Sequence, residues 1–252
     1  MMNVSIFDSV KMPQVLGKSP INQAVILIRY ESNYPDSALY GLLLKFFSAK
    51  GHRTEEMPLL QIPRQIREHD KNLKYQELYR CIKEDSGIQY IFGIGSNVIK
   101  FTVFGKYESW KSWKSFFEPI INEIKEKNII KSVDGISLRY YDVFENDYFS
   151  DFNTEIRLCK QLVKRQDISL NTSFDYAGIR INLNIGNRVF FNGSRKDNAS
   201  LIDIDCISMV NLSAEEFYER YQGILEDAHG ANKKVFFSLV NDTLLRKLEP
   251  QW

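Results

Sequence analysis

Asp203 and Asp205 stand two apart in the run Ile202-Asp203-Ile204-Asp205-Cys206. On an extended strand this spacing throws both carboxylates to one side, about 7 Å apart along the chain. Carboxylates so placed are candidate ligands for a hard cation such as Mg²⁺, with Asp175 the candidate third oxygen donor. The plainer expectation is a solvated polar face. His229, followed by Gly230, reads as a histidine near a helix break. There it is a candidate general base, or a charge at a helix C-terminus. No nucleophile accompanies it. The chain has no Gly-x-Ser-x-Gly, and Cys81, Cys159 and Cys206 sit among apolar neighbours, which predicts small buried residues. The balance leans away from an enzyme.

Arg29 and Arg139 are embedded in apolar strands beside Tyr30 and Tyr140. A buried guanidinium needs a carboxylate or an anionic ligand, because an unpaired buried charge is costly. The expectation is pairing across the sheet with Asp203 and Asp205; Arg29, Arg139 and Tyr140 are the binding candidates if an anion takes that place. His52, Arg53, Arg64, Arg67, His69 and Lys71 make residues 52–73 locally basic, diluted by Glu55, Glu56, Glu68 and Asp70. Arg64 and Arg67 are candidate contacts to nucleic acid or to an acidic partner. Gly93-Ile94-Gly95-Ser96-Asn97 resembles a phosphate loop but joins two predicted strands, whereas a nucleotide-binding glycine motif opens a helix. No cofactor is expected. Trp110, Trp113, Phe116 and Phe117 fall at helical spacing, as a face covering a sheet does.

Lys and Arg total 33 against 32 Asp and Glu, a formal charge of +1 over 252 residues. That balance removes the usual electrostatic case for a duplex-DNA binder, which carries a basic excess. Three widely separated cysteines make a disulfide framework or a cysteine zinc site a poor fit. No basic segment followed by an apolar run opens the sequence, and no apolar run is of membrane-spanning length. The expectation is a soluble, cytoplasmic protein with no membrane partner.

These residues must be positioned by elements legible in the pattern. Residues 1–19 read as an irregular lead-in. A strand is predicted over 21–30 and a helix from Pro35 to Gly51 through Leu39, Leu42, Leu43 and Phe46. Residues 52–73, with Pro58 and Pro63 and no clean period, read as a long connection holding one helical turn. Strands follow at 75–84, 88–94 and 98–104, then a helix through Trp110–Ile124 that Pro119 bends, and a strand at 133–144. The second half repeats this order. Ala177-Gly178-Ile179 matches Ser86-Gly87-Ile88 and Ile185-Gly186 matches Ile94-Gly95, both offset by 91 (178 − 87 = 186 − 95). A helical segment at 147–163, a strand at 200–210 and a helix opened by a Ser213/Glu216 capping box complete it. The predicted fold is α+β: a tandem, pseudo-twofold repeat of helix, three antiparallel strands and helix, with the helices on one face. Its parts are 1–19, a first half 20–145, and a second half 146–252 packed with the first as one unit.

Three segments together resemble a sporadically distributed prokaryotic protein family of unknown function. They are Pro20-Ile21…Ala24-Val25…Ile28-Arg29-Tyr30, Gly135-Ile136-Ser137-Leu138-Arg139-Tyr140, and Leu201-Ile202-Asp203-Ile204-Asp205 with Leu225…Ala228-His229…Phe236-Phe237…Thr243. The chain departs at Ile136, where that family carries Leu. The resemblance implies the architecture and no activity. Its sporadic distribution points to a bacterial defence or toxin–antitoxin module, in which the chain is expected to be a non-enzymatic, accessory or antitoxin-like protein that binds a protein partner. The alternative is an RNA or single-strand nucleic-acid binding protein acting through a local basic patch, with metal-independent endoribonuclease activity as its enzymatic form.

Overall fold

The computed structural model describes residue 7 and residues 10–70, 72–163, 168–191 and 194–252. In chain order the elements are β1 (Val15–Leu16), β2 (Ile21–Ser32), α1 (Asp36–Ala49), β3 (Arg53–Glu56), α2 (Arg64–His69), β4 (Tyr79–Asp85), β5 (Ile88–Ile94), β6 (Val98–Phe104), α3 (Trp110–Glu126) and β7 (Ile130–Phe144). They continue with β8 (Arg157–Leu158), β9 (Gln161–Leu162), β10 (Ser169–Tyr176), β11 (Ile179–Phe191), β12 (Ser194–Ser213), α4 (Ala214–Leu239), α5 (Asp242–Lys247) and β13 (Pro250–Gln251). Nine strands form an antiparallel sheet in the order β10-β11-β12-β7-β2-β6-β5-β4-β3. The protein is thus mixed α and β. By contact it forms two compact units, each discontinuous in sequence: residues 23–138 with 208–225, and residues 1–22 with 139–207 and 226–252.

In the unit built on residues 23–138, alternation along β2 buries Ala24, Ile26, Ile28 and Tyr30 on one face. Helix α1 covers this face with Leu39, Leu43 and Phe47, and α3 does so with Trp113, Phe117, Ile120, Ile121 and Ile124. A chain of rings ties the layers together. Phe47 stacks on Phe92 at 4.3 Å, Phe92 meets Phe101 at 5.2 Å, and Phe101 meets Phe117 at 5.8 Å. Ser109 caps α3 by accepting from the Ser112 amide, and the helix accommodates Pro119. In the other unit, Ile202, Ile204 and Cys206 of β12 and Ile181 and Ile185 of β11 are fully buried on the helix side, with Val235 of α4. The capping box at the start of α4, within residues 208–225 of the unit built on residues 23–138, forms as expected, Glu216 accepting from the Ser213 amide at 2.8 Å and Ser213 Oγ accepting from the Glu216 amide at 3.3 Å.

Several expectations are corrected. Residues 147–163 hold no α-helix; a 3-10 turn at Phe149–Asp151 leads to the β8–β9 pair. Local side-chain bonds divert this backbone from a helix: Asp147 accepts from the Phe149 amide, and Asn153 donates to the carbonyls of Ser238 and Val240. The connection at 52–73 contains the expected helical turn as α2, but also holds β3 and a 3-10 turn at Pro58–Gln61, which the pattern did not predict. Its Lys71 lies outside the described residues. The strand expected from Tyr75 starts at Tyr79, because Asp70 organises a turn by accepting from the Asn72 amide while its carbonyl accepts from Lys74. Helix α4 runs unbroken through His229 and Gly230, so no helix end lies there. Cys159 is exposed in the β8–β9 turn, whereas Cys81 and Cys206 are buried.

Candidate functional site

The open face of the sheet in the unit holding β10–β12 carries the densest polar constellation among the described residues. Because Ile202, Ile204 and Cys206 point to the helices, Asp203 and Asp205 emerge together on the other side, as their spacing predicts. Register sets their neighbours. Asp205 is opposite Asn182, which is opposite Ser173; Asp203 is opposite Asn184, which is opposite Asn171. The Ser173 hydroxyl donates to Asn182 Oδ1 at 2.8 Å. Arg139 of β7 closes the second row with a two-pronged contact, Nε to Asp203 Oδ1 and a terminal nitrogen to Oδ2, both 2.7 Å. These residues line a cleft of about 430 Å³ with Thr172 and Leu183.

The pairing of Arg139 is electrostatically complete. Burial works to lower its pKa, but the hydrogen bonds and charge of Asp203 overcome this and hold the guanidinium charged. The Tyr141 ring lies 4.3 Å from it. Burial pushes the Tyr141 phenol up to about 12, with Arg139 opposing and Asp203 and Asp205 reinforcing. The cleft presents amides, hydroxyls, one guanidinium and two carboxylates, a lining that reads hydrogen-bonding groups and does not attract a polyanion. Asp203 is engaged by Arg139, and the candidate third donor, Asp175, pairs with Arg180 at 3.3 Å and is 72% exposed. Among the described residues no group of three metal-ligating side chains comes together.

The other candidates fall elsewhere. Tyr140 is on the helix side, its hydroxyl 3.1 Å from His229 Nδ1. Arg64 is committed to Glu68 and Asp36, and Arg67 donates to the Ile62 carbonyl. His69 donates to the Gln65 carbonyl. The basic stretch is therefore largely satisfied within itself.

Arg29 does not meet the carboxylate expected of it. Its guanidinium lies 4.8 Å from the Tyr75 ring centre, with a terminal nitrogen 4.0 Å from the Met209 sulfur. The reason is register. Arg29 pairs with Val98 on β6, and its stem crosses Gly135, where an added Cβ would stand 3.3 Å from Arg29 Cδ.

No family model, curated protein or solved structure matches this chain. The resemblance carried by its three motifs accordingly names no relative, and the site rests on its geometry alone.

Two groups of site residues are not among the candidates named from the sequence, and only the first had a signal that could have found it. Asn171, Ser173, Asn182 and Asn184 were legible as the polar alternates of β10 and β11, since Asn182 and Asn184 interleave with Ile181, Leu183 and Ile185. Tyr75 and Met209 had no local signal, because they reach Arg29 only through the fold.

Finally, the Gly93-Ile94-Gly95 motif has a packing role. A Cβ on Gly95 would stand 2.3 Å from the Gln76 carbonyl, and one on Gly93 would stand 2.3 Å from Glu77 Oε2. The segment entering β4 passes over both glycines, and Glu77 is held there by Arg80 and, at 3.7 Å, by Lys100.

Proposed function

We propose that the chain is a non-enzymatic binding protein that takes a protein partner at the cleft lined by Arg139, Asp203, Asp205 and the asparagines of β10 and β11. The lining carries the reading. One guanidinium against two carboxylates repels a phosphate chain, whereas amide and hydroxyl groups in cross-strand rows complement the donors and acceptors of a polypeptide surface. An accessory or antitoxin-like role in a bacterial defence or toxin–antitoxin module is the biological form of this proposal. The test is affinity capture from a native host with the tagged wild type and an Asn184→Arg variant, which puts bulk and charge into the cleft. A stoichiometric protein captured by the wild type and lost with the variant is the expected result. Retention by both, or no stoichiometric protein, sinks the reading.

The alternative, binding of RNA or another single strand, draws on one observation: Arg29 and Lys74 both stand over the Tyr75 ring, at 4.8 Å and 5.1 Å. It requires RNA affinity that falls steeply with salt.

We also propose that the two halves are a tandem repeat. What supports this is matched detail at the predicted offset. Ser86-Gly87 and Ala177-Gly178 both have positive φ, 51° and 79° against 50° and 79°. Gly95 and Gly186 both lie beneath a carbonyl of the segment entering the preceding strand, Gln76 and Ile168. The strand orders β2-β6-β5-β4 and β7-β12-β11-β10 also correspond.

A further inference from the structure

We propose that Arg29, lying over Tyr75 beside the exposed Met209, is a carboxylate-binding anchor for an acidic segment of a partner protein, one with an apolar residue next to its acid. This rests on the reading that the partner is a protein, but not on the cleft at Asp203, which belongs to the other unit.

The contrast between the two strand arginines carries the argument. Arg139 has its carboxylate in the fold, with both guanidinium edges used. Arg29 is half-buried, and among the described residues no carboxylate pairs with it; its contacts are a ring face and a thioether. The ring face takes no N–H donor and the thioether only a long one from a single terminal nitrogen, so the Nε and the other terminal nitrogen remain for a planar, two-oxygen acceptor. Asp134 accepts from the Tyr75 hydroxyl at 2.9 Å and so holds the ring in place. Gly135 admits the Arg29 stem across β7. The arm is thus pre-positioned before any ligand arrives.

The company it keeps selects the class of ligand. Met209 is 66% exposed, one of the few large apolar side chains so exposed among the described residues. Arginine, tyrosine and methionine are the side chains enriched where proteins meet, and a thioether adapts to an apolar neighbour of varied shape. A phosphate chain would find two cations at Tyr75 but would leave the exposed Met209 side chain without an apolar neighbour. Acid plus apolar group fits better than a run of anions.

The test is a titration of the full chain, followed by the Arg29 Nε–Hε and Met209 methyl signals. The probes are a capped peptide of alternating Glu and Leu, its Gln-for-Glu counterpart, and a short oligouridylate. The Glu peptide is expected to move both signals and the Gln peptide neither. Arg29→Gln should weaken the Glu peptide at least tenfold, with Arg29→Lys recovering only part because it lacks the fork. Met209→Ala, at a solvent-exposed position that tolerates substitution, should weaken it severalfold and serves if Arg29→Gln fails to fold. Equal response to the Gln peptide, no response to either peptide, unchanged affinity in Arg29→Gln or Met209→Ala, or tighter binding of the oligouridylate at these signals overturns the proposal. If the cellular partner is still lost with Asn184→Arg while the Glu peptide fails, this anchor falls and the cleft stands.

Discussion

Asp142 and Asp203 sit on adjacent strands, and only one of them is given a cation. Asp203 has Arg139. Asp142 is 3% exposed, faces the helix side of β7, and among the described residues has no cation beside it. Burial, and then the charge of Asp203, raises its pKa well above the ordinary 3.8. The folded chain therefore keeps this proton at pH values where the unfolded chain has lost it. The sign follows: its contribution is most favourable below the unfolded value and is lost as pH rises toward the folded one. Wild type is expected to lose urea midpoint as pH rises above the ordinary carboxylate range, and Asp142→Asn to lose distinctly less. A variant whose midpoint tracks wild type across that rise refutes the assignment. Little of this was legible in the sequence, because Asp142 and Asp203 differ in which face their strand turns inward, and that depends on packing. The alternation that puts Asp203 and Asp205 outward was legible, since Ile202, Ile204 and Cys206 had no other place to go.

Strands and helices with a clean period were also the ones legible in sequence. Helix α3 and the β4–β6 meander lie within a few residues of expectation, because each carries one uninterrupted apolar face. The failures were segments governed by side-chain-to-backbone bonds, as at Asp70 and Asn153, where composition says little about the path. Gly95 shows how an element can depend on such a path. Its missing side chain lets the Gln76 carbonyl lie against β5, where Leu78 then donates its amide to Ile94. A Cβ would meet backbone there and also come within 2.7 Å of Val98 Cγ1, with nothing flexible to yield. Gly95→Ala should cost about 2–3 kcal/mol. At Gly93 the closest obstacle is the far end of the Glu77 side chain, so Gly93→Ala should cost less, about 1 kcal/mol. Denaturant unfolding of the pair decides it, and equal costs would show that the segment before β4 moves freely.

At the scale of the molecule, the proposed repeat and the observed contacts pull in different directions. The proposed repeat would divide the chain near residue 145 into consecutive halves. Contacts divide it otherwise, with β7, β12 and α4 each beginning in one unit and ending in the other. A repeat in sequence need not be a unit of folding, because the end of one copy can complete the layer of the other. Residues 208–225 pack within the unit built on residues 23–138. Tyr218 receives Lys125 of α3 at 5.4 Å from its ring, Gln222 donates to Glu118, and Phe217 and Tyr221 are buried. Residues 20–145 expressed alone would lack that cover and leave part of the apolar face around α3 in water. This piece is expected to show no sharp thermal transition by circular dichroism and poor dispersion of its amide signals, and to gain both when a peptide of residues 208–225 is added. If it melts cooperatively near the temperature of the whole chain, the sequence-defined half is the folding unit and the contact-defined division has no energetic meaning.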